Sequence, residues 1–190
     1  MSNEDQNLVR DQLLKTAFGL FYRKGYDDTG IQEICEGSGV TKPSLYYHFG
    51  NKEGLLMEVA KLSCEPFIAG LKQAAKATGD TPQDIRNIFL WYCDFSANHP
   101  RELSWFFSGL LSPKESDTYK ALFPYAQTHR QILTQFFSET SLYHGNIRGK
   151  ELYLALSLPG VIHGYLTSDL PMNDQVITQF VQHFLHGIFS

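Results

Sequence analysis

Only three cysteines occur in 190 residues, Cys35, Cys64 and Cys93, and no two of them form a CxxC pair. That spacing argues against a zinc ribbon or a disulfide scaffold and leaves free buried thiols of a reducing compartment as the expectation. A redox sensor requires an exposed thiol of low pKa, which spacing does not establish. No apolar run approaches the ~20 residues of a membrane span. The stretch Met1 to Gln12 is polar and lacks the apolar core of a signal peptide. A cytoplasmic protein with no membrane partner is expected. There is no GxSxG, P-loop, HExxH or paired-carboxylate pattern, and the histidines and cysteines do not cluster. No enzymatic activity, cofactor or metal is therefore expected. His183-x-x-His186 has an i, i+3 spacing that a metal can use, but without acidic residues nearby it reads as two solvent-facing histidines.

Charge is also scarce. Charged residues make up 19% of the chain, the net charge is −4, and 43% of residues are hydrophobic, with aromatics at 14%. Such a chain buries a substantial core. It does not coat nucleic acid indiscriminately. Residues 1–60 hold six Lys/Arg against nine Asp/Glu, a net of −3. Any DNA contact there rests on a local patch.

One such patch exists. From Gly37 to Lys52 there is no Asp or Glu, while Lys42, Lys52, His48 and several Ser, Thr and Tyr hydroxyls are present. The stretch reads as the turn and second helix of a helix-turn-helix, followed by the cap of the next helix. A short acid-free helix rich in hydroxyls and aromatics suits a surface that lies on phosphates and reaches base edges.

The rest of the chain reads as helix throughout, with no strand alternation. Leu14, Ala17, Phe18 and Phe21 form one apolar stripe, ended by Gly25. A short second helix includes Ile31, Ile34 and Cys35. Its start is ambiguous: Thr29 with Gln32 fits a capping box, and Gly30 with Glu33 is a weaker alternative. Gly39 supplies the tight turn, Thr41 is a candidate N-cap, and Pro43 sits in the first turn of the third helix. Leu45 and Phe49 face inward with Val40. Asn51 caps a fourth helix running to about Lys76, and Thr78 to Pro82 is the clearest break. Five more helices follow: Pro82 to about Asn98, Arg101 to Leu111, Glu115 to Ser138 with an interruption near Pro124, Lys150 to Ser168, and Asp174 to Ile188. A polar loop spans Ser141 to Gly149. Pro159-Gly160 should bend the helix that contains it.

Phe18, Phe21, Gly25, Tyr26, Thr29, Ile34, Gly39, Val40, Leu45, Tyr46, His48, Phe49, Asn51, Lys52 and Leu55, in this order and spacing, resemble the DNA-binding domain of the TetR family of bacterial transcriptional regulators. The resemblance implies an all-α homodimer. An N-terminal three-helix DNA-binding domain, residues 1–52, would precede a larger helical effector-binding and dimerisation domain, residues 53–190. By position, Thr41, Lys42, Pro43, Ser44 and Tyr46 would lie at the major groove or its rim. Tyr47, His48 and Lys52 would face phosphates, and Gln32 a base or phosphate. The alternative readings are that Tyr46 or Tyr47 is a core aromatic and that His48 caps a carbonyl. Gly30 stands where the family usually has Ser or Thr, so one expected phosphate contact is missing.

The family's activity would make the chain a ligand-responsive regulator, a repressor on a palindromic operator of double-stranded DNA. Trp91, Tyr92, Phe95, Trp105, Phe106, Phe107, Tyr119 and Tyr125 concentrate aromatics in the middle helices, with His129 and His163 as polar handles. They read as an effector pocket for a small hydrophobic or aromatic molecule, or as an ordinary aromatic core. Ile177, Phe180, Val181, Phe184, Leu185 and Ile188 repeat at three and four, and Gly160 and Gly164 are four apart. These are expected at the contact between two copies; the alternative is packing within the subunit.

Overall fold

Leu13, Leu14, Ala17, Leu20 and Phe21 share one side of α1 (Asn3–Lys24) and are all buried, which gives the first helix its reason to pack. The computed structural model describes residues 3–168 and 173–189. The further helices are α2 (Ile31–Ser38), α3 (Lys42–Phe49), α4 (Lys52–Ala74), α5 (Thr81–Asn98), α6 (Pro100–Gly109), α7 (Asp117–Thr140), α8 (Glu151–Leu166) and α9 (Asp174–Phe189). Among the described residues there is no strand. The chain divides into two compact units: residues 1–65 with 101–124, and residues 66–100 with 125–190. The divisions fall inside α4, before Pro66, and inside α7, after Pro124.

In the first unit α1, α2 and α3 pack on one another. Gly25 ends α1 at φ +87°, its N–H bonded to the Phe21 carbonyl at 3.0 Å. Phe21 meets Tyr26 edge-on at 5.3 Å, and Phe18 meets Trp105 of α6 edge-on at 5.8 Å. Asn51 caps α4, its side-chain oxygen accepting from the Gly54 N–H at 2.7 Å. Arg10 of α1 and Glu58 of α4 form an ion pair, and the Arg10 guanidinium lies 5.8 Å from the centre of the Phe49 ring.

The second unit is built on aromatic contacts. Phe180 of α9 packs on Phe89 of α5 at 4.4 Å and on Tyr165 of α8 at 5.4 Å. Phe184 reaches Phe137 of α7 at 6.3 Å. Asp80 caps α5 by accepting from the Gln83 N–H at 3.2 Å. Buried Asp84 accepts from both the Thr78 N–H (2.8 Å) and the Thr78 hydroxyl (2.7 Å), which fixes the α4–α5 turn. Arg86 of α5 pairs with Asp174 at the start of α9.

One open alternative is resolved and two local expectations change. The first residue of α2 is Ile31 and its N-cap is Gly30, not Thr29. The Thr29 hydroxyl turns back to the Gly25 carbonyl at 2.7 Å, and Thr29 is buried, so it is not available to cap α2. The helix containing Pro124 is unbroken from Asp117 to Thr140, because Ala121, Leu122 and Leu133 bury on either side of a single missing N–H. The loop after α7 contains a 3₁₀ turn, Gly145–Ile147, that buries Ile147.

Candidate nucleic-acid interface

The turn before α3 depends on Gly39. At φ +68° it adopts the left-handed conformation, which most side chains would strain. Its neighbour Val40 donates to the Cys35 carbonyl at 3.1 Å, closing the end of α2. Thr41 then stands at the N-cap of α3 in extended conformation, with no hydrogen bond from its side chain to the helix. Its hydroxyl thus makes no capping bond, and the side chain is exposed. Leu45 and Phe49 anchor the underside of α3, both buried. Each such burial contributes about 1.5–3 kcal/mol.

The opposite side of α3 faces outward. Tyr46 and Tyr47 keep 47% and 73% of their surface, and Thr41, Lys42 and Pro43 are exposed. Ser44 and His48 are half-buried. The rings of Tyr47 and His48 meet edge-on at 5.2 Å, so the two donors are held side by side. Gln32 is exposed on α2, its amide donating to the Glu36 carboxylate at 2.7 Å. Glu33 is bonded to Lys24 and also accepts from the Gly30 backbone, which together hold its carboxyl below the ordinary value. Thus Gly30 lacks a capping side chain while Glu33 reaches back in its place.

Lys52 takes a position that its spacing did not announce. Its ammonium lies 4.1 Å from the centre of the Tyr26 ring, a cation–π contact. Burial lowers its pKa, partly opposed by Asp27, Asp117 and Asp28. The same surroundings raise the Tyr26 pKa, through burial first and then Asp117, Glu53 and Asp27. Arg10 and Glu58 also escape the sequence reading. They are 48 residues apart, and no local pattern signals their pairing.

The expected pocket residues separate. Trp105 and Phe106 are buried in the first unit. In the second unit, Tyr92 and His129 are hydrogen-bonded to one another, hydroxyl to Nε2, in a buried cluster with Phe67 and Phe95. Trp91 borders this cluster, and Tyr125 is half-buried. His163 is exposed on α8. Of the residues expected between copies, Ile177, Phe180, Val181 and Phe184 are buried inside the subunit, where α5 covers their side of α9. Leu185 is half-buried, and the Ile188 side chain lies outside the described residues. Gly160 and Gly164 are exposed with open space before them, next to exposed Leu152, Tyr153, Leu156 and Val161 on the same helix.

Cys35 and Cys64 are buried and Cys93 is half-buried. Burial raises all three thiols, Cys64 to about 12. Among the described residues, no group of three His, Cys, Asp or Glu could hold a metal ion, and no helix is long and apolar enough to cross a membrane. His183 is exposed; the His186 side chain lies outside the described residues.

An acid-free helix, seated by Leu45 and Phe49 behind a glycine turn and presenting Lys42, Tyr46 and Tyr47, is the second helix of a helix-turn-helix, the motif of one class of DNA-binding proteins. Residues 13–59 match the family described as bacterial regulatory proteins, tetR family. It is 36% identical over 86 residues to the HTH-type transcriptional activator FasR of Mycolicibacterium smegmatis, covering 45% of this chain and 39% of FasR. The match thus spans well under half of that relative's length. Two solved structures share the fold. PfmR from Thermus thermophilus, a TetR family transcriptional regulator, aligns with a TM-score of 0.64 at 22% identity, covering 92% of this chain and 97% of its own. FadR from Bacillus subtilis, a transcriptional regulator in complex with stearoyl-CoA, aligns with a TM-score of 0.68 at 18% identity, covering 95% and 97%.

Proposed function

We propose that this chain is a homodimeric, ligand-responsive transcriptional repressor that leaves a palindromic operator when an apolar effector binds. The observation that carries the reading is the outward face of α3. It is free of carboxylates, and Thr41, Lys42, Tyr46 and Tyr47 are exposed on it. Lys42 can donate to guanine N7 and O6 or to phosphate, and the Tyr46 ring can touch a thymine methyl. Tyr47 and His48 are placed to donate to phosphate, with Ser44 and Gln32 nearby. Lys52 can do so once its ammonium leaves the Tyr26 ring.

One such helix reads a few base pairs, and a twofold dimer reads two half-sites ~34–36 Å apart or a multiple of that. The second copy docks on α8, where exposed Leu152, Leu156, Gly160 and Gly164 recur at i, i+4, i+8 and i+12, with open space before both glycines. Residues 1–52 act as the DNA-binding domain, and residues 53–190 bind the effector and the second copy. The stearoyl-CoA held by FadR supports an effector with a long apolar part. The switch is a shift of population, so operator and effector weaken each other's binding by the same factor. Both α4 and α7 contribute residues to each compact unit and so can carry the signal. Pro66 and Pro124 each remove one helix hydrogen bond where the units divide. The protein works in the cytoplasm and catalyses no reaction.

Selection of bound sequences from random DNA tests the reading. The expected result is enrichment of one inverted repeat. Recovery of no common sequence, or only of asymmetric ones, rejects it.

A further inference from the structure

The second unit buries a hydroxyl and an imidazole in a shell of rings. Phe67 lies 5.2 Å from Tyr92, 5.1 Å from Phe95 and 5.8 Å from His129, stacked on the imidazole. Trp91 roofs the cluster at 5.6 Å from Phe95, its indole N–H donating to the Phe67 carbonyl at 3.2 Å. The Tyr92 hydroxyl and His129 Nε2 are hydrogen-bonded at the centre. A fold does not need this pair. Phe and Leu fill similar volumes without desolvating two polar groups, and replacing both partners of a buried pair is often neutral or stabilising.

The pair is uncharged. Burial lowers the His129 pKa to about 4, and burial raises that of Tyr92. The sense of the bond depends on the imidazole tautomer. With the imidazole proton on Nδ1 the hydroxyl donates to Nε2, leaving the Tyr92 oxygen able to accept from a ligand. With the proton on Nε2 the imidazole donates, and the Tyr92 O–H is released toward a ligand acceptor. Either way the pair offers one hydrogen bond and no charge. A carboxylate brought here would be desolvated among rings against two neutral groups, which costs far more than burying a neutral carbonyl.

We infer that Tyr92 and His129 form the polar floor of the effector site, and that it selects an apolar ligand whose buried end is a neutral ketone, ester, thioester or phenol over a free carboxylate. This rests on the reading of the second unit as the effector-binding part.

Calorimetry on the full chain without DNA tests it with two probe sets. One is 2-acetylnaphthalene, 2-naphthoate and naphthalene; the other is methyl decanoate and decanoate. In at least one set, the neutral carbonyl compound should bind tenfold or more tightly than its carboxylate. In the naphthyl set it should also exceed naphthalene. The variant Tyr92→Phe/His129→Leu should keep the helix content and melting temperature of the parent and bind 2-acetylnaphthalene no more tightly than naphthalene. A destabilised double variant is replaced by Tyr92→Phe alone, which must show the same result. Equal binding of ketone or ester and carboxylate overturns the selection while leaving the effector site standing. Failure of all five probes to bind overturns both. Retention of the preference in the variants moves the polar contact elsewhere and also overturns the proposal.

Discussion

Gly70→Ala is a small change that should do disproportionate harm. A Cβ at residue 70 would fall 2.1 Å from Cζ2 and 2.3 Å from Cη2 of Trp91, closer than any real contact. The indole must then leave. With it goes the hydrogen bond to the Phe67 carbonyl, worth ~0.5–1.5 kcal/mol net, and the misfit of a displaced ring adds ~1–3 kcal/mol. Alanine returns ~1 kcal/mol through its helix propensity. The net expectation is a loss of about 1–3 kcal/mol, read as a lower urea midpoint by circular dichroism. In a Trp91→Leu background the obstacle is absent, so Gly70→Ala should there be neutral or stabilising. The cycle should therefore show a coupling of ~2–4 kcal/mol between the two positions. If Gly70→Ala in the parent is as stable as the parent, or if the cycle closes with no coupling, the packing of Trp91 on α4 is not as described.

Other perturbations follow from the same geometry. Lys42→Ala and Tyr46→Ala should each weaken specific operator binding by ~1–3 kcal/mol and relax base preference, as measured by gel shift on variant sites; unaltered preference in Lys42→Ala removes that residue from the reading set. Lys52→Ala should weaken all sequences alike and reduce the salt slope by about one unit. Asp84→Ala removes the acceptor of two hydrogen bonds from Thr78 and should cost ~3–6 kcal/mol in denaturant unfolding, since each bond to a carboxylate is worth ~1.5–3 kcal/mol. His129 is held neutral at about 4 against an ordinary 6.5, so the unfolded chain binds the extra proton between those values. The shift costs nothing above pH 6.5 and removes up to about 3 kcal/mol of stability as pH falls from 6.5 through 4. Between pH 7 and 4.5 the parent should lose more stability than Tyr92→Phe/His129→Leu, and parallel pH profiles would refute the assignment.

Local chemistry was readable wherever it acts locally. Gly25 and Gly39 end helices because the backbone there turns left-handed, and Asn51 caps α4 as its place before Lys52 suggests. Leu45 and Phe49, four apart, seat α3 as their spacing implies. Two residues with matching cap chemistry were not separable in this way. Thr29 and Gly30 both fit the start of α2 until the Thr29 hydroxyl is seen bonded to Gly25. Periodicity likewise reports that a face is apolar and not what covers it. The stripe Ile177, Phe180, Val181 and Phe184 is regular enough to suit another subunit, yet its own α5 is the cover. Pairings across long sequence separations leave no mark at all. Tyr92 with His129 is 37 residues apart, and Arg10 with Glu58 is 48.

The weak basicity of residues 1–60 has a consequence for how the interface must work. Non-specific binding scales with the number of phosphates neutralised by Lys and Arg. On α3 and the start of α4 those cations are Lys42 and Lys52 alone, and Lys52 is drawn onto Tyr26 among Asp27, Asp28 and Asp117. The sequence-independent attraction is therefore small, and so is the background of wrong sites that would otherwise hold the protein. On the proposed function, affinity for the right site must come instead from short-range contacts of the α3 tyrosines, hydroxyls and Lys42. Those contacts require the helix to sit at one depth and angle, which Leu45, Phe49 and the Arg10–Glu58 pair beneath it hold in place. An interface of this kind gives up binding strength on random DNA and depends on geometry.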